Sequence, residues 1–314
     1  MVLFRMRYPS ARTLLICVLA LLVAVTFQGT ALGANPKQKT FETPEAAVEA
    51  LVKALRDHNE KELLALFGPG SETLISSGDK VDDRERREEF VRLYGGANRL
   101  EPAGDKKLIV HAGKNDWPFP IPIVKTGERW RFDTRQGKEE ILHRRIGENE
   151  LDTIQTCLAV VDAQREYAAL DRDGDGLLAY AQKFHSAGGK TDGLYWEVKP
   201  GEKASPLGPL VAKAQGEGYV TDEKPVPYNG YFFRILNAQG KSAKGGAYSY
   251  LVKGNMVGGF AVVAYPATYA VSGVKTFIVN HDGVVYQKDL GPKTTKLAKT
   301  MKAFNPDKTW EKAE

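Results

Sequence analysis

The chain is expected to fold as an α+β protein. Three features lead there: helical apolar spacing between residues 43 and 94, a change to short strand-like runs after residue 107, and a second cycle in which one long helix precedes further strands. The expected divisions are an export segment at residues 1–34, a first α+β unit at 40–147 and a second at 148–314.

The first helix opens at TPEAAVEALVKALRDHN. Thr43 can cap it, Pro44 suits its first turn, and Val48, Leu51 and Leu55 recur at helical spacing. A second helix is expected to start at Asn59, with Glu62 as its capping-box partner, and to stop at Gly68 with Leu63, Leu64 and Phe67 buried. A third, more charged helix is expected over residues 82–94, with Phe90 and Leu93 facing inward. KLIVHAG and PIPIVKTGERWRFDT then read as strands, with a hairpin turn at Thr126 and Gly127.

The second unit opens with a long helix, ENELDTIQTCLAVVDAQREYAAL, whose Leu151, Ile154, Leu158, Val161 and Ala168 fall on one side. A short helix capped by Ser205 follows. The remainder, GYFFRILN, AYSYLVKG, GGFAVVAYPATY and KTFIVNHDGVVYQKDLG, reads as strands, with Asp282 and Gly283 turning the last hairpin and Phe277 and Val279 alternating with polar positions. Leu297, Met301 and Phe304 give the tail helical spacing.

The N-terminus has the order of a secretory signal peptide: Arg5, Arg7 and Arg12, an apolar run over residues 14–27, then the small residues Ala31, Gly33 and Ala34. That run is shorter than the ~20 residues a comfortable membrane span needs. A periplasmic or secreted protein with no span after cleavage is therefore expected, with an uncleaved N-terminal anchor as the competing reading. The whole chain has 44 basic and 39 acidic residues, but three of the arginines lie in the signal, leaving 41 against 39, a balance of +2. A charge so near zero disfavours nucleic acid as a partner. Cleavage also removes Cys17, so Cys157 has no disulfide partner within the chain and reads as a buried small apolar residue.

DGLYWEV, SPLGPL, YNGYFFRILNAQG and the run GGFAVVAYPATYAVSGVKTFIVNHDGVVYQKDLG, together with RRIGENE at residues 144–150, resemble the bacterial exported family catalogued as domain of unknown function 2950. The resemblance covers about residues 40–305 and implies an exported protein without implying an activity. The helical opening and the late GERWRFDT strand of the first half resemble the NTF2-like (cystatin-like cone) superfamily. The second half is similar to the globular domain of type II pseudopilins, which implies a long helix packed on an antiparallel sheet. Pseudopilins assemble through an apolar N-terminal helix continuous with that one, whereas here a whole unit precedes it.

The most suggestive chemistry is LDRDGDGLLAYA, which places Asp171, Asp173 and Asp175 at alternate positions with Gly176 next. Calcium loops of the EF-hand type use that spacing but close on a bidentate acid, where this chain has Gln182. A weak calcium site and a simple polar turn ending the helix are both open, and no other cofactor is expected. The five histidines have no metal-ligating partner at helical spacing, so zinc has no support.

A cone-shaped first unit would offer a pocket, for which His111, Trp117, Trp130 and Asp133 are the candidate lining residues. Tyr231, Phe233, Tyr248 and Tyr250 are candidates for an aromatic contact surface facing an envelope protein or glycan. No nucleophile elbow or phosphate loop occurs. The expected role is a non-enzymatic binding or scaffolding component of the bacterial envelope. The alternative is a periplasmic enzyme acting on a small molecule in the cone, which predicts that His111 or Asp133 points inward.

Overall fold

The computed structural model describes residues 37–172, 174–199, 201–217, 219 and 226–313. The expected signal segment and Asp173 lie outside them. Helix α1 (Pro44–Arg56) starts where expected, since Thr43 Oγ1 accepts from the Ala46 amide at 3.1 Å. Helix α2 (Glu60–Phe67) is capped by Asn59, whose side-chain oxygen accepts from the Glu62 amide at 3.0 Å. Gly68 ends it at φ +82°. Leu63, Leu66 and Phe67 are buried and Leu64 is half-buried, so the inward face is turned slightly from the expected one.

One turn, α3 (Glu72–Ile75), precedes α4 (Lys80–Gly96). Helix α4 begins two residues before the expected start because Asp79 caps it, accepting from the Val81 and Asp82 amides. A five-stranded antiparallel sheet follows. Its path is β1 (Asn98–Pro102), β2 (Lys107–Ala112), β4 (Ile123–Thr126) and β5 (Arg129–Phe132), with β3 (Trp117–Pro118) paired to β2. The helices close over it, and Leu51, Leu63, Phe90, Val110, Ile123 and Phe132 belong to one buried cluster.

Helix α5 (Thr134–Ala168) is 35 residues long and starts well before the expected Glu148. Apolar periodicity under-reads it because its buried side includes Arg145, Asn149, Thr153, Thr156 and Gln164. Its inward face also differs. Leu151 is 62 % exposed, while Cys157, Val160, Val161 and Tyr167 are buried. Burial pushes the Cys157 thiol up to about 12, which keeps it protonated and inert at neutral pH.

A short helix α6 (Gly208–Gly216) starts after Leu207, not at the expected Ser205 cap. The second antiparallel sheet has the order β14 (Glu311–Lys312), β13 (Tyr286–Asp289), β12 (Lys275–Asn280), β11 (Ala261–Pro266) and β6 (Tyr231–Leu236). All six residues of β11 are buried, and α5 and α7 (Thr294–Thr300) both pack on it. Phe277, Ile278 and Val279 are likewise all buried, so β12 is covered on both faces and lacks the expected alternation. The expected strand AYSYLVKG is instead two short pieces: β8 (Tyr248–Ser249) pairs with β7 (Ala238–Gln239), and β9 (Leu251–Val252) pairs with β10 (Asn255–Met256) just beyond the stretch. Helix α7 stops at Thr300, and Phe304 lies beyond it, buried in the core.

Residues Gln38–Glu314 cluster as one compact unit, and α5 is common to both sheets' surroundings. No helix among the described residues is long and apolar enough to cross a membrane.

Candidate functional site

A cleft of about 750 Å³ opens between α4 and α5, floored by α1, α2 and α3. Its inner wall is apolar: Leu51, Leu63, Phe67, Phe90, Phe119 and Ile141. Phe90 and Phe119 lie with ring centroids 5.1 Å apart, and Trp117 meets both at 6.2 and 6.3 Å. Arg144 stacks its guanidinium over Trp117 at 5.3 Å from the centroid. These spacings are those of attractive aromatic and cation–π contacts.

The remaining wall is charged. Arg86 on α4 donates from Nε to Asp82 at 2.8 Å, from Nη1 to Glu148 at 2.6 Å and from Nη2 to Asn149 at 3.0 Å. Arg145 on α5 donates from Nη1 to the Thr73 carbonyl and from Nη2 to the Leu74 carbonyl, both at 2.7 Å. Arg87 donates to the Ile75 carbonyl at 2.6 Å. Arginines 87 and 145 thus hold the carbonyls of the one-turn helix α3 that lack helical partners, a use for which forked guanidinium donors are suited. At the cleft's mouth Glu85, Glu148 and Asp152 are exposed. Burial, with the nearby Glu217 charge, holds the Glu85 carboxyl above its ordinary range.

Beside the cleft a buried polar network joins the two halves. The Asp79 carboxylate is 1 % exposed and accepts at Oδ2 from Tyr219 Oη at 2.9 Å and from the Gly230 amide at 3.0 Å. Gly230 sits at φ +73°, where a Cβ would also meet Asn149 Nδ2 at 2.5 Å, so only glycine fits. Asp83 accepts twice from the Ser77 amide, at 2.9 and 3.1 Å. Burial raises the pKa of both aspartates and of Tyr219. Asp79 and Tyr219 are two mutually hydrogen-bonded titratable groups, yet neither lines the cleft.

Of the expected pocket residues only Trp117 reaches the cleft; His111, Trp130 and Asp133 do not line it. Trp130 pairs with Phe41 at the outer side of β5, and Asp133 stands at the start of α5 without capping it through its side chain. His111 is drawn into an ion cluster. Its Nε2 lies 3.2 Å from Glu101 Oε2 and its Nδ1 3.3 Å from Asp116 Oδ2. Glu101, His111 and Asp116 offer ligand atoms within 4.8 Å of one another, a grouping that chain spacing did not reveal because β-pairing creates it. Arg99 occupies the same place, donating to Glu101 at 2.6 Å and from Nε to Asp116 at 2.7 Å. Its guanidinium neutralises the carboxylates that a metal would need.

The aspartate stretch forms a turn against the β9–β10 hairpin. Asp171 accepts from the Gly174 and Gly176 amides, and Asp175 from the Leu177 amide and Asn255 Nδ2. Each of these four oxygens therefore already serves the turn, and Gln182 bonds the Gly254 carbonyl at 2.7 Å. The expected contact surface is corrected in part. Tyr231 and Tyr250 are fully buried core residues, whereas Tyr248 is 40 % exposed and Phe233 is half-buried.

Arg86, Arg145, Asp79 and Tyr219 were not among the expected site residues. The sequence offered only RRIGENE, whose adjacent arginines stand about 100° apart on a helix, so at most one of them shares the buried side with Asn149. The family model described as "Protein of unknown function (DUF2950)" matches residues 38–313. No curated protein and no solved structure matches the chain.

Proposed function

Because the chain belongs to the DUF2950 family, whose description carries no activity, we propose a role from its own cleft: an exported, non-enzymatic binding component of the bacterial envelope that holds a small ligand there. The observation that carries this reading is the cleft's construction, an aromatic and aliphatic floor beside an arginine wall, with a volume of about 750 Å³. Small-molecule sites have that composition and a volume of roughly 300–1,000 Å³.

Its wall charges are engaged in fixed pairs and helix-end contacts, as suits holding a ligand. The titratable pair that resembles an acid–base device, Asp79 and Tyr219, does not line the cleft. Within this reading residues 1–34 are a cleaved signal, the first half is an NTF2-like cone and the second a pilin-like helix on a sheet. The order of helices and antiparallel strands in each half supports that reading. Exposed Tyr248 and half-buried Phe233 offer a second contact to an envelope protein or glycan.

The test is native mass spectrometry of protein released gently from the periplasmic fraction. A discrete bound small molecule is expected on the wild type and is expected to be missing from Ile141→Trp, which fills the cleft. Recovery of the protein in the cytoplasm, or an identical ligand load on both proteins, overturns the proposal.

A further inference from the structure

The charge that most needs an occupant in the cleft is not at its mouth. Arg145 is 5 % exposed, lines the cleft, and has no carboxylate within ion-pair distance among the described residues. Its two terminal nitrogens donate to neutral carbonyls, and its Nε is buried without any partner. A guanidinium has five N–H donors, so two carbonyl bonds leave most of its capacity unused. A buried charge is ordinarily paired, and an unpaired one is costly.

The acids of the cleft are otherwise placed. Asp82 and Glu148 are bound by Arg86, Glu88 by Arg84, Glu89 by Arg92 and Glu217 by Lys213 at 3.7 Å, though Glu217 Oε2 is buried without a partner. Asp83 turns both oxygens to the Ser77 amide. Glu85 and Asp152 are exposed, where water screens them. The acids around the mouth therefore count for less than the enclosed Arg145, whose buried opposing charges, Asp83 and Asp82, form no close ion pair with it. Burial lowers the Arg145 pKa, and the nearby charges of Asp83 and Asp82 offset it only in part.

We propose that the cleft takes an amphipathic anion, its apolar body against Phe90, Trp117, Phe119 and Ile141 and its carboxylate or phosphate drawn to Arg145. This rests on the cleft being a ligand site, as argued above, and adds the sign of the ligand's charge. The ligand's oxygens take the place of the missing ion-pair partner.

Calorimetric titration of the mature protein with decanoate, decyl phosphate, decylamine and decanol tests both layers separately. One or both anions are expected to bind at least about tenfold more tightly than the amine and the alcohol. Which anion binds better distinguishes a carboxylate from a phosphate ligand. Arg145→Met should erase the preference for anions while weak binding of decanol remains, and Arg145→Lys should keep part of it. Ile141→Trp should abolish all binding and serves as the control if Arg145→Met does not fold. Equal affinity for the four probes, preference for decylamine, or an anion preference that survives in Arg145→Met overturns the charge assignment but leaves the cleft as a binding site. Failure of all four to bind overturns both.

Discussion

Asp79 and Asp83 stand one turn apart at the start of α4, both buried, both accepting backbone amides, and both with carboxyls held above the ordinary aspartate value of 3.8 by burial. Above that value the unfolded chain has released these protons while the folded chain still keeps a share. Their contribution to stability is therefore complete at low pH and is lost as pH rises through the raised values. Asp83→Asn keeps an oxygen for the Ser77 amide and removes one of the two protons. Urea denaturation of wild type and variant between about pH 7 and pH 5 should show the wild type gaining on the variant as pH falls. A difference independent of pH would mean that burial does not shift Asp83. None of this was legible beforehand. DKVDD reads as an ordinary charged helix start, and only the arrival of Tyr219 and Gly230 across the fold buries it.

At the scale of elements, caps and turns were the readable part. Thr43, Asn59 and Gly68 act locally, and their short-range hydrogen bonds depend on nothing distant. The early start of α5 was not readable, because residues 134–147 contain two glycines and little apolar spacing. Those glycines differ in a way that can be measured. A Cβ on Gly137 would lie 2.5 Å from the Pro120 carbonyl and 2.7 Å from the Ile121 Cα, so backbone would have to move. Gly137→Ala is expected to cost about 1–3 kcal/mol as an overpacked contact. Around Gly147 no atom lies within 4 Å, and Gly147→Ala should stabilise by about 0.5–1 kcal/mol through helix propensity alone. Equilibrium urea unfolding reads both, and two changes of the same sign would contradict the close approach. The cleft shares this partial legibility. Trp117 was expected from the cone-shaped pocket, while Arg86 and Arg145 come together only through the crossing of α4 and α5.

For the molecule as a whole, α5 is the decisive element. It contributes Ile141 and Arg145 to the cleft and Cys157, Val160 and Val161 to the core on the second sheet. Asn149 ties it to both halves at once, accepting from Arg86 and donating to the Ser272 carbonyl at 2.9 Å. Two sheets sharing one rigid rod and one buried network should melt together. Scanning calorimetry of the protein is expected to give one transition whose calorimetric and van't Hoff enthalpies agree. Two resolved peaks would show that the halves are independently stable despite the shared helix.

The Asp79 carboxylate has a further consequence, for the order of events in time. Its partners Tyr219 and Gly230 lie 140 and 151 residues later in the chain. A ribosome adding roughly 5–20 residues per second delivers them many seconds after α4 has been made. During that interval the start of α4 stays in water and the network beside the cleft has no second wall. Contacts of such long sequence separation slow folding, because the intervening loop must close before they return any stability. The early half of the chain thus gains its last buried wall only after most of the chain has been made.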